Sequence, residues 1–435
     1  MRSLHVTACE GVSVAAALPL LPCFAGLEVL RIEELDGFCD HGVTLQALSG
    51  MTNLRSLAVT LGGGFMHTWP DLARMQKLET LDMRGCPAYG EPWAAWAHMP
   101  AWMTKLTSLR SLSIGCAGFT EVPPVVAALT QLTRLAIKDS CLGDSTGPAA
   151  APGKLPMTAR LPVGFQHLTN LKSLSLGTWC GNSLPDEICM LTNLEELSLT
   201  GELPCDLDGC AVDYEDDYTG APDQAAQDFA LPKRFGRLRK LRVLRLDCHM
   251  GMWELPPQVL QLTALESLDL SNTSLRSLPD NLHALSNLTR LRLASCSFMR
   301  LPAAVFSVPS LRHLDLGRNA DLSLGDLNRT QLTWLASLGS LNIAKLGDCV
   351  WERPCLPTLA FLEAASRQRR LLLRMDAAEA SGQLPYKGRR LQRKGLWKKG
   401  GMGETCVLER CWEGSASVGV REANGQLVQI CVDIP

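Results

Sequence analysis

The chain has 435 residues, of which 46% are hydrophobic, and its formal net charge is −2. This near-neutral balance predicts no general attraction to nucleic acid or to a membrane surface. The seventeen cysteines are odd in number and no two stand three residues apart. They indicate neither a closed disulfide framework nor a Cys-x-x-Cys zinc site, and they favour a reducing compartment such as the cytoplasm.

The dominant pattern is the segment Leu-x-x-Leu-x-Leu, whose clearest copies lie 23 residues apart. Thirteen copies are legible, and they begin at Met1 (a degenerate copy), Leu27, Leu54, Leu78, Leu109, Leu132, Leu171, Leu194, Leu241, Leu265, Leu288, Leu311 and Leu338. Alternate leucines of a short strand point to one face, and the residues between them point to the other. Because one repeat cannot bury its leucines alone, neighbouring repeats must stack into a solenoid with a continuous core.

Several repeats continue with Leu-Pro, followed by an apolar residue three positions on and another six positions on. Examples begin at Leu184, Leu255, Leu278 and Leu301. Proline suits the first position of a helix, because its missing N–H would have no partner there. Each Leu-Pro therefore predicts the start of a short helix on the convex side.

The two signatures together resemble the cytoplasmic class of leucine-rich repeats and are similar to plant intracellular Ras-group-related proteins and Ras-pathway scaffolds. The resemblance covers roughly residues 1–346. It implies an α/β solenoid, a horseshoe with a parallel concave sheet and short convex helices. The family's asparagine at the ninth repeat position remains only as Asn319, and the corresponding residues elsewhere are Cys9, Cys86, Ser140, Thr273 and Cys296. Either these residues satisfy the turn more weakly or the array is less regular.

The first repeats raise the question of a signal peptide, because residues 12–30 are strongly apolar. Repeat spacing places Leu27 26 residues after Met1, and Glu10 interrupts a basic leader, so a repeat is favoured. No other segment is long and apolar enough to span a bilayer. Since the chain begins inside a repeat, either the first repeat caps itself imperfectly or the chain is a fragment.

Three insertions interrupt the repeat spacing. The first, 87–103, carries Trp93, Trp96 and Trp102, which either pack on the solenoid flank or form an aromatic hot spot. The second, 143–159, is rich in Gly, Pro and Ala and predicts a loop. The third, 202–230, holds nine acidic residues without Lys or Arg. It predicts a solvated acidic loop, with a docking site for a basic partner or a calcium site as alternatives.

After residue 346 the repeat pattern stops. Residues 357–380 predict a helix, 387–399 form a strongly basic segment, and 405–412, 417–422 and 427–433 alternate as strands, with Asn424-Gly425 as a hairpin turn. We therefore predict a solenoid over 1–346 and a small α+β module over 347–435 that covers the last repeat. The basic segment is interpreted as a solvated loop or an intramolecular partner of the acidic insertion, with a nuclear-import patch, a phosphate-binding arm or an acidic-lipid contact as the alternatives.

A candidate binding surface lies where residues project from the middle of the concave sheet. The fifth position of four successive repeats holds Arg245, Asp269, Arg292 and Asp315, and the third position adds Arg290 and His313. The alternating signs leave two interpretations open, a self-paired ladder or a surface that attracts a charged ligand. Earlier repeats carry a hydroxyl-rich strip instead, with Ser111, Ser113, Ser173, Ser175, Glu196 and Ser198.

These patterns predict a non-catalytic, cytoplasmic scaffold that binds a protein ligand, and the resemblance implies a small GTPase or a signalling enzyme as that ligand. The alternative is a structural component of a cytoskeletal or ciliary assembly. An immune-receptor fragment is disfavoured because no nucleotide-binding domain precedes the repeats. We expect no enzyme, metal or cofactor, because His41, His67 and His249 are too scattered for a triad or a metal site. Nucleic acid is an unlikely partner, and the sequence leaves the oligomeric state open.

Overall fold

The structure is a computed structural model, and it divides into two compact units between Val243 and Leu244. It describes residues 2–7, 24, 26–34, 45–61, 69–85, 99–115, 121–138, 161–177, 183–201, 229–319, 321–324, 326–343, 372–375, 418–421 and 427–431. The domain boundary that we predict at residue 346 stays a prediction.

Short strands, one per repeat, make up most of the regular structure. They are β1 Ser3–Thr7, β2 Val29–Glu34, β3 Ser56–Leu61, β4 Thr80–Gly85, β5 Ser111–Gly115, β6 Arg134–Lys138, β7 Ser173–Leu176, β8 Glu196–Leu199, β9 Val243–Arg245, β10 Ser267–Asp269, β11 Arg290–Arg292, β12 His313–Asp315, β13 Ser340–Ile343, β14 Leu372–Met375, β15 Val418–Arg421 and β16 Leu427–Cys431. In the first unit, β1 to β8 pair in chain order and in parallel. In the second unit, β9 to β14 follow in chain order, and β16 and β15 come after them.

The leucines of the repeat pattern form the core, as the sequence predicts. In the repeat that begins at Leu288, for example, Leu288, Leu291 and Leu293 are all nearly inaccessible to solvent. The register places each central leucine beside that of the next strand, so that Leu268 pairs with Leu291 and Leu291 with Leu314. This stacking of buried leucines behind a parallel sheet confirms the predicted leucine-rich-repeat fold.

The segments that return from one strand to the next contain 3-10 helices. They are Leu45–Gly50, Ala101–Lys105, Pro124–Ala128, Phe165–His167, Asp186–Met190, Phe235–Arg237, Pro257–Gln261, Asp280–Ala284 and Ala303–Ser307. In the four example Leu-Pro pairs the proline stands one residue earlier than predicted, since Pro185, Pro256, Pro279 and Pro302 precede the first helical residue. There the proline carbonyl accepts the first helical bond, as when the Val305 N–H donates to Pro302 O at 3.1 Å.

In the repeat before β13, an α-helix, α1 Arg329–Ala336, takes the place of the 3-10 helix. The side chain of Asn328 accepts a hydrogen bond from the Gln331 N–H at 3.0 Å, and the Gln331 side chain accepts one from the Asn328 N–H at 2.9 Å. This reciprocal capping box satisfies two N–H groups that the start of a helix leaves unpaired. The packing of Trp334 against Phe306 fixes the helix, since the ring centroids lie 5.1 Å apart in an edge-to-face arrangement.

Each of the strands β9 to β12 is followed by a turn with a residue in the left-handed conformation. The same repeat position holds Cys248, Asn272, Ser295 and Arg318, with φ values of 65°, 55°, 51° and 57°. Only Asn272 is of a type that adopts this conformation readily. The turn geometry is therefore imposed by the stacking of the repeats rather than by local preference.

The next position supplies the polar groups that close these turns. Asn319 is fully buried and donates to Leu316 O at 2.7 Å and to Leu293 O at 2.8 Å, while its Oδ1 accepts from the Cys296 N–H at 3.0 Å. In the earlier repeats Thr273 Oγ1 donates to Leu270 O at 2.8 Å, and Cys296 Sγ lies 3.3 Å from the same oxygen. Threonine and cysteine thus occupy the asparagine position with fewer bonds, while the turn conformation stays regular.

Cys189 and Cys248 are buried, and Cys296 is partly buried. Burial is the main cause that raises the pKa of Cys189 to about 11, of Cys248 to about 12 and of Cys296 to about 11. Their thiols stay protonated and unreactive near neutral pH.

The sequence prediction is wrong at 372–375, which we expected within a helix over 357–380. These residues form β14, which pairs in parallel with β13 so that Leu373 lies beside Leu341 and Met375 beside Ile343. The pattern was missed because Arg370 occupies the position of the first leucine. The parallel ladder therefore continues one strand beyond the predicted end of the repeats.

The final two strands form an antiparallel pair, β15 with β16, at the positions where alternation predicts strands. β16 also pairs in parallel with β14. Several predicted features lie outside the described residues, namely Trp93 and Trp96, the loop at 143–159, the acidic residues of 202–228, the basic segment 387–399 and the strand at 405–412. Among the residues that are described, no helix has both the length and the apolar character needed to cross a bilayer.

Candidate protein-binding surface

The six predicted surface residues all lie on β9 to β12, in the second unit except where β9 begins. The register places Asp269 beside Arg292 and Arg292 beside Asp315, and it places Arg290 beside His313. The strand leucines between them face the core, so these six side chains share the opposite face. We call this surface the sheet face, and we define it by Arg245, Asp269, Arg290, Arg292, His313 and Asp315.

Asp269 is held by groups of its own chain. Arg292 Nη1 lies 3.2 Å from Asp269 Oδ2, and Asp269 Oδ1 accepts from the Ser271 N–H at 3.1 Å and from Ser271 Oγ at 2.7 Å. The carboxylate is correspondingly buried, with 8% of the residue exposed. The self-paired ladder that the alternating signs suggest is thus present at this step.

Asp315 is also held by groups of its own chain, and one of them is an amide. Its Oδ1 accepts from Asn342 Nδ2 at 2.7 Å and from the Gly317 N–H at 3.1 Å. Sequence reasoning did not include Asn342, although it occupies the fifth position of the following repeat. The strand register identifies Asn342 as a neighbour of Asp315, because the two residues pair across β12 and β13.

The basic side chains point the other way, toward solvent. Arg292 keeps 61% of its side chain exposed despite its ion pair. Arg245 and Arg290 are exposed and make no ion pair or hydrogen bond with the residues that the structure describes. The charges alternate in sign along the sequence, but the exposed surface is mainly basic. The carboxylates are bonded to donors of the protein itself, whereas the guanidinium groups extend into solvent.

His313 extends this basic surface without adding a charge at neutral pH. Partial burial lowers the pKa of His313, and the positive charge of Arg290 lowers it further. The imidazole is therefore neutral near pH 7 and offers a hydrogen-bond donor and an acceptor beside the Arg290 guanidinium.

The sequence analysis also missed a carboxylate close to this surface, that of Asp247, which follows β9. Burial is the largest cause that raises the pKa of Asp247, and the neighbouring Asp269 carboxylate raises it further. The positive charge of Arg245 acts in the opposite direction and lowers the pKa of Asp247 in part. The sequence could have drawn attention to Asp247, because it occupies the seventh repeat position, which Ser271 occupies in the following repeat.

The hydroxyl-rich strip of the first unit presents a different surface. The register places Ser111 beside Arg134, Arg134 beside Ser173 and Ser173 beside Glu196. Ser173 Oγ donates to Glu196 Oε2 at 3.0 Å. The strip is thus partly charged, and within the described strands β5 to β8 no histidine lies beside its hydroxyls to act as a base.

Comparisons with known proteins agree with this architecture. The family model described as a leucine-rich repeat region matches residues 225–367. The fold is that of a leucine-rich-repeat protein. Over 223 residues the chain is 28% identical to the volume-regulated anion channel subunit LRRC8A of Homo sapiens, a match that covers 51% of this chain and 23% of that subunit. Over 262 residues it is 27% identical to the human subunit LRRC8E, covering 58% and 27% of the two chains.

A solved leucine-rich-repeat protein of Leptospira interrogans, LIC12759, is also similar. Its TM-score is 0.51 at 19% sequence identity, and the match covers 84% of this chain and 88% of that one. At that identity the likeness shows the fold alone. Because the matched region spans about a quarter of each channel subunit, it relates the repeats of this leucine-rich-repeat chain to theirs and not the whole proteins.

Proposed function

We propose that the protein is a non-catalytic scaffold that binds a protein ligand on the sheet face of β9 to β12. Leucine-rich-repeat folds generally serve as protein-interaction modules, and the stacked strands present side chains on a rigid support. The observation that carries the proposal is the asymmetry of charge, in which Asp269 and Asp315 are tied to the protein's own donors while Arg245 and Arg290 are left unpaired among the described residues.

This asymmetry defines what the ligand offers. Arginine forks bind carboxylates with two parallel hydrogen bonds, and arginine is enriched among the residues that dominate binding energies. The neutral His313 adds a side chain that can donate or accept a hydrogen bond. The ligand surface therefore carries carboxylates spaced to meet guanidinium groups on neighbouring strands, which stand about 4.8 Å apart.

The class of ligand that we propose rests on the resemblance of the repeats. Similarity to Ras-group-related repeats favours a small GTPase or a signalling enzyme inside the cell, because such proteins are the ligands that this resemblance implies. Cytoplasmic location and a role in signalling belong to the same proposal. They rest on the repeat class, whereas the position of the binding surface rests on the geometry of β9 to β12.

The experiment compares capture of partners by the full chain and by two double variants. The site variant is Arg245→Glu with Arg290→Glu, chosen because neither side chain has an ion pair to lose. Arg292→Glu is unsuitable, since it would set a third carboxylate between Asp269 and Asp315. The control variant is Arg74→Glu with Lys105→Glu, two exposed residues of the first unit that lie away from the sheet face.

A protein ligand that depends on the sheet face is captured by the native chain and by the control, and is lost with the site variant. After purification of that ligand, titration calorimetry should give an affinity at least about tenfold weaker for the site variant. Equal capture by all three chains contradicts binding on the sheet face. Loss with both variants points instead to a general effect of net charge.

A further inference from the structure

The last repeat of the first unit carries a concentration of positive charge that the proposed function does not use. Between residues 233 and 242 there are six basic residues and no acidic one. We call them the basic strip: Lys233, Arg234, Arg237, Arg239, Lys240 and Arg242. All six are exposed.

The strip is rigidly supported. Its backbone includes the 3-10 helix Phe235–Arg237, and the side chains of Phe235, Leu238 and Leu241 are fully buried beneath it. Hydrogen bonds from the Leu238 N–H to Phe235 O and from the Leu241 N–H to Leu238 O fix the turns between the basic residues. The charges therefore have a defined spacing along the repeat.

Most of these charges have no partner in the described part of the chain. Lys233, Arg234, Arg237 and Arg239 make no side-chain ion pair or hydrogen bond with the residues described. Lys240 Nζ donates to the amide oxygen of Asn193 at 2.7 Å, which leaves its charge uncompensated. Like charges gathered this closely repel one another and are offset only in part by carboxylates of the neighbouring repeat, so an anionic ligand would stabilise the strip.

The neighbouring repeat limits the width of the ligand. Its 3-10 helix begins with Asp186 and Glu187, both exposed, and the repeat alignment places them beside Lys233 and Arg234. Its Glu195 is already paired with Lys172 at 3.1 Å. A broad polyanion such as a nucleic-acid duplex or a membrane surface would set its phosphates against these carboxylates, whereas a single extended polypeptide would not.

We propose that the basic strip is a docking surface for an extended acidic segment of a partner protein. Four of the six residues are arginines, whose planar guanidinium groups pair with carboxylates in two-bond geometry. The surface lies on the return segment of a repeat in the first unit. It is therefore a different surface from the sheet face of β9 to β12, and its test is independent of the proposed function.

The probe is a fluorescent peptide of alternating Glu and Ser, about twelve residues long, which at roughly 3.3 Å per residue is long enough to follow the strip. Fluorescence anisotropy with the full chain measures its affinity, and a Gln/Ser peptide of equal length is the uncharged control. The strip variant is Arg237→Glu with Arg239→Glu. The matched protein control is Arg74→Glu with Lys105→Glu, which changes the net charge equally, and thermal melting checks that both variants fold.

The expected result is binding of the acidic peptide by the native chain and the matched control, weakening with added salt, and an affinity at least about tenfold lower for the strip variant. Equal affinity for the two variants overturns the proposal. Tighter binding of single-stranded DNA or phosphatidylserine vesicles of equal charge, lost with Arg237→Glu and Arg239→Glu, overturns the choice of a polypeptide partner.

The chain's own acidic segment is an alternative occupant that one further variant separates. In that variant, all Asp and Glu residues of 202–228 are changed to Asn and Gln. If the peptide binds only after this change, the segment competes for the strip within the chain, and the partner-protein proposal is wrong. If neither chain binds the peptide, the docking surface itself is wrong.

Discussion

The substitution Asn319→Ala tests how the buried turn positions stabilise the second unit. The side chain satisfies three buried backbone groups within 3.0 Å: the carbonyls of Leu293 and Leu316 and the N–H of Cys296. Each buried group left without a partner costs about 1 kcal/mol or more. The free energy of unfolding should therefore fall by about 3 kcal/mol, a large part of the stability of a typical domain.

The matched comparison is Thr273→Ala, at the same repeat position two repeats earlier. Thr273 Oγ1 makes one backbone bond, to Leu270 O at 2.8 Å, so its removal should cost about 1 kcal/mol. Urea unfolding followed by circular dichroism measures both losses, and hydrogen exchange of the Cys296 amide reports the local effect, since that N–H is bonded to Asn319. If Asn319→Ala costs no more than Thr273→Ala, the reasoning from counted hydrogen bonds is refuted.

Four further predictions concern the same unit. Arg318→Asn should raise the free energy of unfolding by about 1 kcal/mol, because asparagine accepts the φ of 57° more readily, and an unchanged urea midpoint would contradict this. Because the pKa of His313 is lower in the folded than in the unfolded chain, stability should decline as the pH falls below about 6.5. Arg290→Gln should raise the His313 pKa, and an NMR titration in which the pKa stays fixed would exclude the influence of that arginine. Arg292→Glu should lower the melting temperature, with partial recovery in salt, because it replaces the ion pair to Asp269 with repulsion; salt-independent melting would argue against an electrostatic cause.

The sequence predicts the strands and core well because the repeat makes each position recur. Leucines at fixed spacing leave few arrangements that bury them all, so the parallel register follows from the pattern. Reliance on recurring leucines also explains why β14 was not predicted, since an arginine at position 370 stands where the first leucine of a repeat is expected. Parallel pairing with β13 shows that a neighbouring strand can hold a degenerate repeat in place.

The candidate surface was only partly predictable. Sequence placed all six residues on adjacent strands, but it left open whether the charges pair with one another. The outcome depends on Ser271 and Asn342, since Ser271 binds Asp269 together with Arg292, and Asn342 binds Asp315. These pairings are decided by side-chain geometry, which repeat spacing does not encode.

The short strands of the second unit have a consequence for how binding specificity evolves. β9 to β12 contain three residues each, and the central one is a buried leucine, so each strand presents only two side chains. In the first unit β2 to β4 are twice as long. A ligand bound on the shorter strands contacts only two side chains from each strand. Its preference is therefore held by few residues, and single exchanges at these positions can redirect the protein to a new ligand while the leucine framework remains intact.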